Sequence, residues 1–216
     1  MTTSTPQTPV SPFPQRVVVT GMGVIGPMGL DVPTAWSNVS AGRSGIGRIT
    51  LFPTEGLRVQ IAGQAWGFEP TNYMSAKDAR RADRFVQFAI AAAQEALAQS
   101  RLTVTDEIAN DVGVIIGCGA GGSTTYIKQQ HIMDTLGPDR ISPLLIPMII
   151  VDSASTQVSI MTGARGPSYG VASACATAAD AIGQAFETIR RGDAQVMITG
   201  GSEASCNMLG IPGFDQ

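Results

Sequence analysis

Residues 168–201 read SYGVASACATAADAIGQAFETIRRGDAQVMITGG, and this stretch decides the fold class. Its first part, Ser168 to Ala172, is a short run that predicts a strand. Apolar residues then recur at helical spacing from about Ala176 to Arg191, and Gly192 ends the predicted helix. A second strand is predicted from Gln195 to Thr199, directly before a pair of glycines. A strand, a helix and a strand in this order predict a parallel crossover.

The rest of the chain alternates in the same way between short β-branched runs and longer segments of helical periodicity. Further strands are predicted at Arg16 to Thr20, Arg58 to Ala62 and Val112 to Ile116. Further helices are predicted from near Pro33 to Ala41, from Asp83 to Ser100, from the glycines after the third strand to about Leu136, and from Pro147 to near Gly163. This alternation is typical of an α/β protein.

The composition excludes several classes of protein. The chain of 216 residues is 44% hydrophobic and 14% charged, which is enough apolar material for a packed core. Its formal net charge of −3 argues against the large basic field that nucleic-acid binding requires. One histidine, and three cysteines without a C-x-x-C pair, argue against a metal site. The odd cysteine count favours a reducing compartment, so we predict the cytoplasm.

Neither the N-terminus nor the apolar runs indicate export or membrane insertion. Residues 1–15 are rich in Thr, Ser and Pro, and we predict that they form a flexible tail rather than a targeting signal. The longest apolar run, Leu144 to Val151, contains Pro147 and is far shorter than the ~20 residues of a membrane-spanning helix. We therefore expect a single folded unit over residues 16–216 and no membrane contact.

Two stretches match the G-x-G-x-x-G pattern, at Gly21 to Gly26 and at Gly117 to Gly122. Each follows a predicted strand, which is the context of a dinucleotide-binding loop. However, Pro27 and Gly29 follow the first match, and neither match has an acidic residue at the end of a second strand ~20 residues later. We expect these glycines to allow close packing of strand ends and helices instead.

Cys175 is the strongest candidate for a reactive group. It stands between a predicted strand and the N-terminus of a predicted helix, where unpaired backbone N–H groups favour a thiolate. The local sequence is equally consistent with Cys175 acting only as a small apolar residue that fills a crowded turn. We expect Cys118, Cys206 and His131 to have no chemical role, because they lie in a glycine-rich turn, a small polar loop and a polar helix.

The wider pattern separates the two interpretations of Cys175. Motifs occur in one order at Val17 to Ile25, Gly117 to Gly122, Ile141 to Pro143, Gly166 to Ser168, Ser173 to Thr177, Gly192 to Ala194 and Gly200 to Glu203. Together they resemble the elongating β-ketoacyl-acyl-carrier-protein synthases, from Arg16 to the end of the chain. The resemblance implies an α/β fold of the thiolase-like, layered αβαβα type, of which this chain is the first half, with a largely parallel sheet and a buried helix that carries the nucleophile.

The resemblance also implies a mechanism. Cys175 would accept an acyl group from acyl carrier protein, and a carbanion from decarboxylated malonyl carrier protein would then attack the acyl-enzyme. No cofactor or metal takes part in this chemistry. Ala120, Ile146 and Ile149 would line the acyl pocket, the two isoleucines coming from the partner in a homodimer.

Carrier-protein docking is assigned by resemblance to four basic residues, Lys77, Arg80, Arg81 and Arg140. Lys77, Arg80 and Arg81 fall within one short basic segment of an otherwise acidic chain. The alternative is that this segment is simply the solvated start of a helix.

Members of this family are about twice as long, and their two catalytic histidines and lysine lie in the second half. We therefore expect half of a catalytic site, completed by a C-terminal half or a complementary chain. We also expect the chain alone to be acylated but not to condense, and to expose apolar surface and self-associate. The alternative is a non-enzymatic partner subunit or scaffold half that pairs with a second chain.

Overall fold

The computed structural model describes residues 16–216, so the predicted tail at residues 1–15 lies outside the described residues. The strands are β1 (Ile46–Arg48), β2 (Ile61–Gly63), β3 (Val112–Gly117), β4 (Ser168–Val171) and β5 (Val196–Gly201). The helices are α1 (Val32–Ser40), α2 (Ala76–Ala79), α3 (Arg84–Ser100), α4 (Ser123–Leu136), α5 (Leu145–Ile149), α6 (Ser153–Thr162), α7 (Thr177–Arg191) and α8 (Gly210–Phe214).

The main sheet has three parallel strands in the order β4-β3-β5. In its register, Ile115 of β3 lies opposite Tyr169 of β4 and Thr199 of β5. The chain leaves β4, forms α7 and returns as β5 on the other side of β3, which confirms the predicted parallel crossover. β1 and β2 form a separate antiparallel pair.

Helices cover both faces of β3, which is buried along its whole length. Because side chains alternate along a strand, one face of β3 packs against α3 and α6 and the other against α7. The first contact contains Phe85, Val86, Ala89, Val112, Val114, Ile116, Ala154 and Val158. The second contains Ile115, Ala181 and Ala185. This arrangement of a helical layer, a parallel sheet and a second helical layer confirms the predicted α/β class.

The helix predicted from Asp83 is confirmed as α3. Asp83 is its N-cap, and the Asp83 carboxylate accepts a hydrogen bond from the N–H of Phe85. The helix ends at Ser100, and its C-cap, Arg101, adopts the left-handed conformation. Because Asp83 also accepts from the N–H of Thr125 at 2.8 Å, one buried carboxylate caps both α3 and α4.

Three expected elements differ in the structure. Residues 16–20 do not form a strand, because no strand of the described chain pairs with them; Val19 is 79% exposed. The strand expected at Arg58 to Ala62 is shorter and shifted, since β2 covers only Ile61–Gly63. The single helix expected from Pro147 is interrupted at Ile150, whose extended backbone separates α5 from α6.

The buried face of α7 also differs from the expected one. The pattern of large apolar residues predicts that Ile182, Phe186 and Ile189 face inward with Ala185, yet Ile182 is 51% and Phe186 is 43% exposed. The buried stripe consists of Thr177, Ala181, Ala185 and Thr188. Small residues face the sheet because α7 approaches it closely: a Cβ built on Gly201 of β5 would lie 2.6 Å from Cβ of Ala178.

Candidate active site

Cys175 lies in the tight turn that joins β4 to α7. The turn is a short 3-10 helix, Ala174–Ala176, and α7 begins directly after it. Ala174 has φ of 52°, in the left-handed region that non-glycine residues rarely adopt. The side chain of Cys175 is exposed. The structure thus places this sulfur at the start of α7, open to solvent.

Two hydrogen bonds hold the cysteine turn, which we define as residues 173–177. The N–H of Ser173 donates to Oγ1 of Thr177 at 2.8 Å, and the hydroxyl of Ser173 donates to the carboxylate of Asp180. Both bonds connect the residue that enters the turn to the first turn of α7. The position of Cys175 is therefore determined by how α7 sits on the sheet.

The segment at residues 117–122, here called the glycine loop, lies beside the cysteine turn. Because β3 and β4 are parallel, their carboxyl ends meet at the same edge of the sheet, which is where α/β proteins commonly bind ligands. A Cβ built on Gly119 would lie 3.9 Å from Cα of Ala174, and a Cβ on Gly117 would overlap Thr177. The glycines allow this close approach, as the sequence predicts.

The backbone N–H groups that a phosphate would need in this loop already have an acceptor. The N–H groups of Gly119 and Ala120 donate to Oε2 of Glu203 at 2.9 and 3.1 Å. In the first glycine motif, a Cβ on Gly21 or Gly23 would overlap a backbone carbonyl of α3. Both motifs therefore serve close packing, and the geometry does not favour a dinucleotide loop.

Glu203 is a residue of this site to which the sequence patterns assign no role. The available signal is its place two residues after β5 ends at Gly201, beside the other carboxyl ends of the sheet. Its Oε1 accepts from the N–H of Ala204 at 3.2 Å and from the hydroxyl of Ser205 at 2.8 Å, while its Oε2 accepts from the glycine loop. The carboxylate thus joins two segments that are far apart in sequence.

The two other cysteines differ from Cys175 in their surroundings. Cys118 is buried, and its sulfur lies 3.7 Å from Oε2 of Glu203. Burial, followed by the negative charge of Glu203, raises the pKa of the Cys118 thiol to about 12. Burial also raises the pKa of the Cys206 thiol. Both groups therefore favour the protonated form, which is a poor nucleophile.

The candidate pocket residues are only partly brought together. Ala120 is exposed in the glycine loop next to the cysteine turn. The carbonyl of Ile149 accepts from the N–H of Gly122 at 3.0 Å, so the end of α5 contacts the same loop. Ile146, one turn earlier in α5, is 62% exposed. Within residues 16–216, Ala120 and Ile149 therefore border one loop and Ile146 lies on the surface.

Three of the candidate docking residues share one short segment. Lys77 lies in α2, Arg80 is its C-cap and Arg81 follows; all three are exposed. Arg140 is exposed in a separate 3-10 turn, Pro138–Arg140. No hydrogen bond or ion pair in the described part of the chain joins Arg140 to the α2 segment.

The side chain of Gln87 holds this segment in place. Its Nε2 donates to the carbonyls of Ala79 and Ala82 at 2.9 and 3.1 Å, on either side of the two arginines. Arg84 differs from these arginines, because its guanidinium lies over the rings of Phe68 and Phe88. The freely exposed positive charge of the segment is therefore carried by Lys77, Arg80 and Arg81.

His131 is exposed on α4. Across residues 16–216, no three His, Cys, Asp or Glu side chains come together as metal ligands. The helices described here are all too short or too polar to cross a membrane.

Comparison with known proteins agrees with this geometry. Residues 14–216 match the family model described as the N-terminal domain of beta-ketoacyl synthase. The chain belongs to the β-ketoacyl synthase family. This β-ketoacyl synthase chain is 46% identical over 201 residues to 3-oxoacyl-[acyl-carrier-protein] synthase 2 of Staphylococcus aureus, covering 93% of this chain and 48% of that protein. It is 40% identical to the enzyme of the same name from Synechocystis, with the same two coverages.

Solved ketosynthase structures share the fold. The ishigamide ketosynthase/chain length factor superimposes with a TM-score of 0.81 at 28% identity, over 92% of this chain and 50% of that one. A type II polyketide ketosynthase in complex with its acyl-carrier protein, bound to the hexaketide, gives a TM-score of 0.77 at 25% identity, over 92% and 53%. The β-ketoacyl synthase chain spans about half the length of the curated relatives it matches.

Proposed function

We propose that this chain supplies the nucleophile and part of the acyl pocket of a 3-oxoacyl-[acyl-carrier-protein] synthase. The observation that carries the proposal is the exposed Cys175 at the start of α7, beside the glycine loop at the carboxyl edge of a parallel sheet. The relatives named 3-oxoacyl-[acyl-carrier-protein] synthase 2 support it. Synthesis of fatty acids or of polyketides is consistent with these relatives and with the structural neighbours.

In the first step, the Cys175 thiolate attacks the thioester carbonyl of an acyl carrier protein. A new carbon–sulfur bond forms to Cys175, the bond to the carrier's sulfur breaks, and the carrier sulfur leaves as a thiolate that takes a proton from water. The backbone N–H of Cys175 is the proposed donor to the oxyanion that forms on the carbonyl oxygen. Acylation in this form needs no other side chain of the chain as an acid or base.

In the second step, malonyl carrier protein loses carbon dioxide and the resulting carbanion attacks the acyl carbonyl on Cys175. A carbon–carbon bond forms, the bond to the Cys175 sulfur breaks to return the thiolate, and the β-ketoacyl group stays on the carrier. The family resemblance assigns this step to two histidines and a lysine, and we propose that they come from the half of the relatives that this chain does not span. Loss of one oxyanion donor costs about 10²–10³ in rate, and loss of an acid or base costs about 10²–10⁴. Slow acylation is therefore expected to survive in this chain when condensation does not.

The test is to incubate the chain and its Cys175→Ser variant with long-chain acyl carrier protein, and then with malonyl carrier protein. We expect a thioester mass adduct on Cys175 that is absent in the variant, and no β-ketoacyl product from the chain alone. An adduct on Cys118 or Cys206 would contradict the site. Full condensation by the chain alone would contradict the proposal that the residues needed for condensation lie in the other half of the relatives.

We also propose that Lys77, Arg80, Arg81 and Arg140 form the docking surface for acyl carrier protein. The exposure of all four residues supports this, and so does a structural neighbour, a ketosynthase solved with its acyl-carrier protein. Exposed charges of this kind act mainly on the association rate and are screened by salt.

The proposed partners further include a second copy of the chain in a homodimer. The location in the cytoplasm stays a prediction.

Charge reversal tests the docking surface. Replacing Arg80 and Arg81 by Glu is expected to weaken carrier binding at low salt about tenfold or more, with a smaller effect at high salt. Reversal of Arg43 and Arg48, which are exposed in other parts of the chain, changes the net charge equally and is the matched control. If the wild type, the Arg80 and Arg81 variant and the control variant bind the carrier equally at low salt, this surface is not the docking site.

A second candidate function is that of a non-enzymatic partner subunit or scaffold half. It is favoured by the structural match to a ketosynthase/chain length factor. The family resemblance indicates that chain-length-factor subunits typically lack the cysteine, whereas this chain retains Cys175 in an exposed turn. Absence of the Cys175 adduct in the acylation experiment would favour this second function.

A further inference from the structure

Glu203 connects the end of β5 to the glycine loop through one carboxylate. Its Oε2 accepts from the N–H groups of Gly119 and Ala120, and its Oε1 accepts from residues 204 and 205. The next loop N–H, that of Gly121, donates to the sulfur of Cys118 at 3.2 Å, beside the same carboxylate. Hydrogen bonds to a charged acceptor are stronger than those between neutral groups.

Hydrogen bonds of the preceding residue fix the backbone at Glu203. Ser202, the preceding residue, donates its N–H to the carbonyl of Gly117 at 2.9 Å and its hydroxyl to the carbonyl of Phe85 at 2.6 Å. The backbone at Glu203 is thus tied both to the end of β3 and to α3. Because its backbone is fixed in this way, the Glu203 carboxylate can hold the glycine loop at a defined position relative to the sheet.

The loop that Glu203 holds lies between the nucleophile and the candidate pocket. Gly119 packs beside Ala174, the neighbour of Cys175, while Gly122 bonds to the end of α5 at Ile149. Ala120 stands between these two contacts. Movement of residues 119 and 120 would therefore change the space between Cys175 and Ala120, where an acyl chain attached to the sulfur would begin.

We propose that Glu203 is a positioning residue that sets the acyl-chain preference of Cys175 by fixing Gly119 and Ala120. This inference rests on the proposed function, because an acyl group on Cys175 is what the pocket would receive. Glu203 acts through the backbone of the loop. The hydrogen-bond acceptance of its side chain is what matters, so an amide that keeps one acceptor oxygen should preserve most of the effect.

The test uses two measurements that do not depend on acyl carrier protein. The first is amide hydrogen exchange in a peptide that contains residues 117–122. The second is the ratio of the rates at which N-octylmaleimide and N-ethylmaleimide alkylate Cys175, which reports an apolar wall next to the sulfur. The proteins are the wild-type chain, Glu203→Gln, Glu203→Leu and, as a control, Glu107→Gln at an exposed carboxylate outside the site.

We expect Glu203→Leu to speed loop exchange about tenfold or more and to lower the octyl-to-ethyl ratio several-fold, toward that of the unfolded chain in urea. Glu203→Gln should stay close to wild type in both measurements, because its carbonyl oxygen can face the loop while its amide donates to the hydroxyl of Ser205, and only the bond from the N–H of Ala204 is lost. Glu107→Gln should match wild type.

An unchanged ratio in Glu203→Leu would overturn the proposal. So would faster exchange throughout α3 in both Glu203 variants, since that result would indicate general loss of structure. Failure of acyl carrier protein to label wild-type Cys175 would count against the proposed function and would leave the alkylation ratio as an independent result on Glu203.

Discussion

At the scale of single residues, the chain contains the same thiol in two opposite environments. Cys175 is exposed in a turn, whereas Cys118 is buried beside a carboxylate that disfavours a second negative charge. Cys175 is open to solvent, and the raised pKa of Cys118 keeps that thiol protonated; both differences disfavour reaction at Cys118. The positions of the two residues therefore support the proposal that Cys175, and not Cys118, is the nucleophile.

Alkylation should distinguish these thiols. With a pKa of about 12 for Cys118, the thiolate fraction at pH 8 is about 10⁻⁴, so iodoacetamide should modify Cys175 long before Cys118 in the folded chain. Labelling of Cys118 should rise about tenfold per pH unit below its pKa while the fold persists. Peptide mapping by mass spectrometry measures both rates, and the chain unfolded in urea is the control. Equal labelling of the two cysteines at pH 8 would contradict the described environment of Cys118.

The left-handed backbone of Ala174 leads to a second expectation at this scale. Such a conformation costs a non-glycine residue about 1–2 kcal/mol, and glycine avoids this cost but adds entropy to the unfolded chain. Ala176, two residues later, has an ordinary φ of −85° and is the matched control. In urea unfolding, Ala174→Gly should be more stable than Ala176→Gly by about 1–2 kcal/mol. A less stable Ala174→Gly would show that this turn is not strained.

At the scale of elements, close approach of backbones explains several features at once. The segment at residues 21–24 runs along α3, where the N–H of Val24 donates to Glu95 at 2.9 Å and the N–H of Met22 donates to Gln99 at 2.6 Å. Its glycines have no room for a side chain against the helix. The small residues on the inner face of α7 serve the same purpose on the opposite side of the sheet.

A pair of glycines tests this packing. A Cβ on Gly23 would overlap the carbonyl of Ala92, whereas a Cβ on Gly26 would meet nothing within 4 Å. Gly23→Ala should therefore lower the free energy of unfolding by about 1–3 kcal/mol, while Gly26→Ala should leave it unchanged or raise it slightly. Denaturant melts of the two variants beside wild type provide the measurement. If both substitutions have the same effect, the close contact with α3 does not exist in solution.

At the scale of the whole molecule, large apolar side chains remain exposed over several elements. They include Val18, Val19, Ile182, Phe186, Met208, Leu209 and Phe214. Soluble monomers rarely expose contiguous apolar patches of more than a few hundred Å². Because Ile182 and Phe186 lie one turn apart on the outer side of α7, this helix presents apolar residues to solvent as well as to the sheet.

We expect the chain to self-associate through this surface. Sedimentation velocity should show a weight-average mass that rises with concentration, and the double substitution Ile182→Gln and Phe186→Gln should reduce the rise without loss of helical signal, since both side chains are exposed. Val39→Gln, at an exposed residue of α1, is the control. A compact monomer at all concentrations would refute this expectation.

The sequence by itself determined the order of elements and the place of the nucleophile candidate. Strands β3, β4 and β5, helix α3 and helix α7 all follow from hydrophobic periodicity and from the residues that cap or end them, which are local signals. Cys175 could be placed between β4 and α7 for the same reason. The family motifs then predicted an N-terminal β-ketoacyl synthase unit, which the comparisons confirm.

Only the tertiary structure decided which distant groups meet. Glu203 and Gly119 are 84 residues apart in sequence, and no periodicity indicates that one accepts hydrogen bonds from the other. The buried face of α7 was predicted wrongly because helix periodicity favours the face with large residues, whereas the tight contact with the sheet accepts only small ones. Residues 16–20 have the composition of a strand, but a strand also requires a neighbouring edge with which to pair, and that depends on the arrangement of the whole molecule.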